Sequence, residues 1–228
     1  MSSTTDQAIS QSIDRLTAQG ATGLDQYEQK LRNNAKKLVV LSNMLFEGQA
    51  ALMFLQNGFK VAMRGEVPGE AGPDLRIELD REVVYVEVTH FLEKEQDRLD
   101  DKSMSETAGR LVQYGDTVEL EGAPPWEQIA KVARRKVGQY MAGVSNILVV
   151  ESSSPSTELV LGSAVHQYDD EVLKSDDLRL RRLSGIMLVQ TDWIAIARNV
   201  DFCPTAHAAA PLSARVASTL YSICIDFP

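Results

Sequence analysis

A single acid inside a long apolar segment is the first residue that suggests chemistry. Glu47 is the only charged residue between Lys37 and Lys60, and the hydrophobic pattern of this segment predicts a helix with two apolar faces. A carboxylate in such surroundings requires an ionic partner, a metal ion or a proton. An exposed notch beside Gly48 would accommodate the same residue without any function, so the segment alone leaves both interpretations open.

Two further acids are predicted to face each other across a β-hairpin. Asp80-Arg81 has the character of a two-residue turn, which pairs residues whose numbers add up to 161 and sets Asp74 opposite Glu87. Their Cβ atoms would lie roughly 4.5–5.5 Å apart. The alternation along the hairpin supports this register, because the apolar side chains share one face. These are Leu75, Ile77, Leu79, Val84, Val86 and Val88.

Directly opposed carboxylates repel each other, and folding alone gives no reason to place Asp74 opposite Glu87. A divalent cation would turn the repulsion into coordination, because Mg²⁺ prefers a few carboxylate oxygens completed by water. The alternative is a solvated polar face that binds nothing.

The elements that must position these acids follow an α/β pattern. The predicted helices cover 6–19, 24–57 and 126–142, and the predicted strands cover 59–64, 74–79, 83–89 and 146–150. A polar loop over 92–124, a helix near 155–168, strands near 185–190 and 193–198, and a helix or strand over 214–224 complete the prediction. The order helix, three strands, helix, strand predicts a mixed central sheet flanked by helices.

The length of 228 residues suits one elaborated domain. Within it we expect an N-terminal helical arm over residues 1–37, a core over 38–151, and a C-terminal extension of the same domain over 152–228.

The helix with Glu47, the Pro73-Asp74 pair and the triplet Glu87-Val88-Thr89 resemble the PD-(D/E)XK nuclease superfamily, the fold of many restriction enzymes and DNA-repair nucleases. The resemblance covers about residues 38–151. It implies a restriction-endonuclease-like core in which Glu47, Asp74 and Glu87 bind one or two Mg²⁺ or Mn²⁺ ions.

One position departs from the family pattern, because Thr89 stands where the family has a lysine. In some relatives that lysine comes from a nearby helix, and Lys136 lies within the apolar stripe of the predicted helix 126–142, with Gln139 beside it. Lys136 would then face the sheet. A lysine that extends past the stripe to water is the alternative.

The resemblance implies a metal-dependent phosphodiester hydrolase, endonuclease-like and acting on DNA, in which Asp74, Glu87, Lys136 and Gln139 are catalytic. Arg134 and Arg135 are weaker candidates for phosphate contacts, since an exposed charge run is usually solvated. The alternative, favoured by Thr89, is a catalytically degenerate protein of the same fold that serves as a binding or assembly module. A homodimer is a further expectation, because nucleases that make double-strand cuts are commonly dimeric.

Charge and composition limit the partners. A formal charge of −9 argues against a broad nucleic-acid surface, so contact with DNA is expected to be local. The two cysteines, Cys203 and Cys224, form no closely spaced ligand pair, and a cytoplasmic location is expected. We expect no membrane partner, because polar residues interrupt the apolar run 38–59.

Overall fold

The computed structural model describes residues 3–63, 72–90, 124–152, 161–191 and 197–223. In this part of the chain six strands form one sheet that is covered by six α-helices. The strands are β1 (Lys60–Met63), β2 (Leu75–Leu79), β3 (Glu82–His90), β4 (Ser145–Ser152), β5 (Leu183–Thr191) and β6 (Ala197–Pro204). The helices are α1 (Ser3–Ala18), α2 (Leu24–Asn34), α3 (Leu38–Gln56), α4 (Pro125–Arg135), α5 (Leu161–Lys174) and α6 (Ala214–Tyr221).

The six strands lie in the sheet in sequence order. β1, β2 and β3 are antiparallel neighbours, β3, β4 and β5 are parallel, and β6 is antiparallel to β5. Parallel neighbours need a crossover connection, and α4 and α5 lie in the two crossovers along the chain. The predicted α/β class with a mixed central sheet flanked by helices is therefore confirmed.

The hairpin of β2 and β3 has the predicted register. Leu75 pairs with Val86 and Ile77 with Val84 across the two strands. The turn residues Asp80 and Arg81 both adopt positive φ, 50° and 71°, which is the backbone that a two-residue hairpin turn of the right twist requires. Because β2 begins immediately after Asp74, this turn also fixes where Asp74 lies relative to Glu87.

The predicted single helix over 24–57 is wrong, since the segment forms α2 and α3 with a break at 35–37. The Asn34 side chain donates from Nδ2 to the carbonyl of Lys30 (3.0 Å) at the end of α2. Asparagine competes in this way with the backbone bonds that would continue a helix.

The predicted helix over 126–142 is also too long. α4 ends at Arg135 and continues as a short 3-10 turn, Lys136–Gly138. The residues that follow are held by the Asn146 side chain, which bonds the backbone of Met141 and Val144. These bonds replace the helical ones.

The C-terminal third differs from the prediction in its boundaries. The helix expected near 155–168 is α5, the strand expected near 193–198 is β6, and the segment 214–224 begins with the helix α6. The Ser213 hydroxyl accepts from the Val216 N–H (3.2 Å), an N-cap that starts α6. Residues 91–123, which include most of the polar loop, and residues 153–160 and 192–196 lie outside the described part.

The core has two layers, one on each face of the sheet. Successive side chains of β4 point to opposite faces, so Ile147 and Val149 pack in one layer and Leu148 and Val150 in the other. The first layer includes residues of α1, α2, α3 and α6, and the second includes residues of α4 and α5. Helices α1 and α2, expected to form an arm, thus share the core with α3. None of the described helices has the length and apolar character needed to cross a membrane.

Candidate functional site

Three acids from three elements, Glu47 on α3, Asp74 before β2 and Glu87 on β3, each form an ion pair with one of two lysines and are called here the carboxylate cluster. Lys30 of α2 bridges Glu47 and Asp74, while Lys136 pairs with Glu87. The cluster therefore joins the α2–α3 layer, the hairpin and the turn after α4.

Glu87 is the most deeply buried member, with a side chain 2% exposed. It lies on the sheet face covered by α4 and α5, because its neighbour in β4, Leu148, packs in that layer. Its Oε1 atom accepts from Lys136 Nζ at 2.7 Å, and its Oε2 atom is buried without a hydrogen-bond partner among the described residues. A buried acceptor of this kind is normally satisfied by an ordered water, a bound ion or a proton.

Burial, and after it the negative charge of Asp74, raise the pKa of Glu87 to about 8, against the opposing effect of Lys136. The Lys136 ammonium group thus offsets only part of the cost of burying this carboxylate. Glu87 binds a proton or a further cation more readily than an ordinary glutamate does.

Asp74 is held at both oxygens. Its Oδ2 atom accepts from the backbone N–H of Val88 (2.9 Å), the residue next to Glu87, and its Oδ1 atom lies 3.8 Å from Lys30 Nζ. Burial raises the pKa of Asp74, and the Val88 hydrogen bond and the charges of Lys30 and Lys136 partly oppose the rise. The hydrogen bond from the Val88 N–H therefore holds the Asp74 carboxylate beside the strand that carries Glu87.

Glu47 is buried. The alternative that it lies in an exposed notch beside Gly48 is therefore wrong. Lys30 Nζ donates to both of its oxygens, each at 3.1 Å. Gly48 allows this approach, since a Cβ atom there would lie 2.7 Å from Tyr27 Oη, and Tyr27 donates to the Met44 carbonyl at 2.6 Å. Because Gly48 has no side chain, α2 packs closely on α3, and Lys30 of α2 lies within hydrogen-bond distance of Glu47.

Lys30 is the residue that sequence reasoning missed. The prediction places it with residues 1–37 in an arm outside the core and gives it no role in the site. One signal was available, because Lys30 follows Tyr27 by three positions and precedes Leu31, both of which are buried. A lysine on the edge of an apolar helical stripe faces the neighbouring helix.

Lys136 reaches the carboxylate cluster from the 3-10 turn after α4 and not from within a helix. Its side chain is 28% exposed and its ammonium group contacts Glu87 rather than extending to water alone. Thr89 lies two residues beyond Glu87 on the same face of β3, where a longer side chain could also reach that carboxylate. Lys136 therefore places an ammonium group on Glu87, whereas the Thr89 side chain carries no charge.

The other basic and polar candidates are less closely tied to the cluster. Gln139 donates its backbone N–H to the Lys136 carbonyl (2.8 Å), and its buried Oε1 atom has no partner among the described residues. Arg134 pairs with Glu171 of α5 at 3.3 Å, and Arg135 is exposed at the end of α4. Arg134 therefore contacts α5, whereas Lys136 contacts the carboxylate cluster.

Carboxylate oxygens are the donors that Mg²⁺ and Mn²⁺ prefer. Glu87 Oε2 is an unused buried acceptor, and Asp74 Oδ1 is engaged only at ion-pair distance, so these two residues fit a divalent ion completed by water. Across the described residues no three His, Cys, Asp or Glu side chains already form a metal-binding group. Lys30 lies on Glu47 and would have to move before that acid could join.

Comparisons with protein-family models, with curated proteins and with solved structures give no match for this chain. Its function is therefore inferred from the chemistry of the carboxylate cluster.

Proposed function

We propose that this protein is a metal-dependent phosphodiester hydrolase that acts on DNA. One observation carries the proposal: Glu87, with a side chain only 2% exposed, has one oxygen on Lys136 Nζ at 2.7 Å and the other without a partner among the described residues. Asp74, which directly precedes the paired strand β2, accepts from the N–H of Val88, the residue after Glu87. A buried acid, a second acid and a cation at one place are the groups that assisted phosphoryl transfer requires.

The order of elements supports a PD-(D/E)XK-type assignment. α3 with Glu47 is followed by the three antiparallel strands β1 to β3, then by α4 and by β4, which is parallel to β3. This is the order that the resemblance implies, with Asp74 before the second strand and Glu87 within the third. A restriction-endonuclease-like core is therefore part of the proposal.

Each residue of the site has a role that its contacts allow. Asp74 and Glu87 would hold Mg²⁺ or Mn²⁺, and Glu47 would assist them only once Lys30 moved from its two oxygens. When bound, the ion would lower the pKa of the attacking water and neutralise charge on the phosphate. Lys136, partly exposed beside Glu87, would orient the water or stabilise the developing negative charge, and Gln139 would support the Lys136 turn.

The substrate would be gripped locally. The chain carries a net charge of −9, which disfavours an extended contact with a polyanion. Arg134 and Arg135 lie at the end of α4, directly before Lys136, and both are exposed. Arg135 would contact phosphates that flank the scissile bond, and Arg134 would do so less readily, because it pairs with Glu171.

Replacing Lys136 with methionine tests this assignment. We expect Lys136→Met to lower kcat for Mn²⁺-dependent cleavage of single- or double-stranded DNA by about 10²–10³-fold, the usual effect of removing one stabilising donor. KM should change little, because the lysine acts on developing charge. Lys131→Met, which changes an exposed lysine of the preceding helix α4, is the matched control and should cleave like the wild type. Equal rates for both variants and the wild type would remove Lys136 from the mechanism.

A second candidate function uses the same fold without catalysis. Lys30 and Lys136 place an ammonium group on each acid, so the cluster is neutralised in part without any metal, and Thr89 replaces the family lysine. These observations favour a catalytically degenerate protein that serves as a binding or assembly module. Such a protein would bind no divalent ion at Asp74.

A further inference from the structure

Lys30 occupies a place where a cation would be expected. Its Nζ atom lies 3.1 Å from both oxygens of Glu47 and 3.8 Å from Asp74 Oδ1, and its side chain is only 12% exposed. The two acids come from different elements, α3 and the start of the hairpin, and Lys30 comes from a third, α2. A nearly buried ammonium group between two such carboxylates replaces water on all three charges.

The packing of α2 keeps Lys30 in this position. Tyr27 and Leu31, on either side of it, are fully buried in the core layer that α2 shares with α3, and the Tyr27 hydroxyl donates to the Met44 carbonyl. The N-terminus of α2 is tied to β1 through Thr22, whose N–H donates to the Val61 carbonyl (3.1 Å). Lys30 thus enters the cluster on a rigid element.

The oxygens of the carboxylate cluster divide into two groups. Both Glu47 oxygens accept from Lys30, and Asp74 Oδ2 accepts from the Val88 N–H. The Oε2 atom of Glu87 has no partner among the described residues, and Asp74 Oδ1 makes only the long contact to Lys30. One pair of acids, Asp74 and Glu87, therefore suits a divalent ion, while the other pair, Glu47 and Asp74, already holds a cation.

We propose that Lys30 is a built-in cation that takes the position of a metal ion between Glu47 and Asp74, so that the protein binds one divalent ion fewer than its three acids could hold. The inference rests on the proposed function, because it takes the carboxylate cluster as the place where divalent ions bind. The Lys30 position itself can be tested whether or not Asp74 and Glu87 bind an ion in the wild type. It assigns the α2 helix a direct part in the site, as a determinant of how many ions enter.

Removing the charge of Lys30 should open the second position. A divalent ion near a fixed ammonium group is repelled, and two carboxylates left without that group attract it. We expect Lys30→Met to bind one more Mn²⁺ ion per chain than the wild type. Lys30→Gln should do the same, and it keeps a hydrogen-bond donor near Glu47 in case the methionine variant folds poorly.

Mn²⁺ binding to the full chain, counted by electron paramagnetic resonance and by calorimetry, tests the proposal. Lys30→Arg keeps the charge and should bind as many ions as the wild type, as should Lys36→Met, an exposed lysine just beyond α2. The extra ion should be lost when Glu47→Gln is added to Lys30→Met. Circular dichroism would verify the fold of each variant.

The outcomes separate this inference from the proposed function. One extra ion in the Met and Gln variants supports the role of Lys30, whether the wild type binds one ion or none. A wild type that binds none would contradict the proposed function alone. An unchanged number of ions in folded Lys30→Met and Lys30→Gln would overturn the role of Lys30, even if the wild type binds an ion at Asp74 and Glu87.

Discussion

Replacing either Asp74 or Glu87 with alanine is expected to reduce metal-dependent DNA cleavage by at least about 10³-fold. Metal ions contribute several kcal/mol to stabilising the charge of a phosphoryl transition state, and each 1.36 kcal/mol or so is a factor of ten in rate. Asp74 and Glu87 would bind the same ion, because the hydrogen bond from the Val88 N–H holds the Asp74 carboxylate next to Glu87. Losing either one therefore leaves too few oxygens for the ion.

The matched control for these variants is Glu78→Ala. Glu78 lies on β2 of the same hairpin but pairs with Arg76 and Lys60 instead of the cluster. The Glu78→Ala variant should cleave at the wild-type rate. The ion pairs of Glu78 are partly exposed and contribute little to the stability of the hairpin. Single-turnover cleavage in Mg²⁺ and Mn²⁺, with circular dichroism on each variant, makes the comparison. Wild-type rates for folded Asp74→Ala and Glu87→Ala would contradict the assignment.

Gly23→Ala is expected to destabilise the protein by about 2–5 kcal/mol. Gly23 precedes α2 with φ of 73°, a left-handed backbone that costs other residues about 1–2 kcal/mol. A Cβ atom at this position would also overlap the Met63 carbonyl oxygen of β1, and overpacking typically costs about 1–3 kcal/mol more. Relief of that overlap would move α2 away from β1 and carry Lys30 away from Glu47.

Gly20→Ala isolates the steric part of this effect. Gly20 also has positive φ, 85°, but a Cβ atom there would meet nothing within 4 Å. It should cost only the left-handed backbone, about 1–2 kcal/mol. Denaturant unfolding of the two variants beside the wild type gives both values. If Gly23→Ala were no less stable than Gly20→Ala, the close contact between α2 and β1 would not hold the helix in place.

The hairpin and the positions of its two acids could be predicted from the sequence, because the turn and the alternation that determine its register lie in adjacent residues. A two-residue turn and strict alternation fix a register to the residue, and the observed pairs of β2 and β3 follow it. The prediction that Lys136 faces the sheet assumed a helix over 126–142. The observed helix α4 ends at Arg135, one residue before Lys136. The contact with Glu87 is nevertheless made, because a lysine side chain is long enough to tolerate the change from α-helix to 3-10 turn.

Lys30 could not be placed from the sequence because its partner is distant. Glu47 and Lys30 meet only through the packing of α2 on α3, which depends on the break at 35–37 and on the small residue Gly48. The uninterrupted helix predicted over 24–57 would have carried Lys30 away from Glu47. Helix breaks without glycine or proline leave little trace in hydrophobic periodicity, so the sequence identified the acids but not the cation that bridges two of them.

The proposed function requires that a divalent ion binds at Asp74. Calorimetric titration of Mn²⁺ into the wild type should give saturable binding, and Asp74→Asn, which keeps the shape of the side chain but removes its charge, should abolish it. Mg²⁺ should compete with Mn²⁺ for the same site. No binding heat in the wild type, or equal binding by Asp74→Asn, would contradict the account and favour the catalytically degenerate alternative.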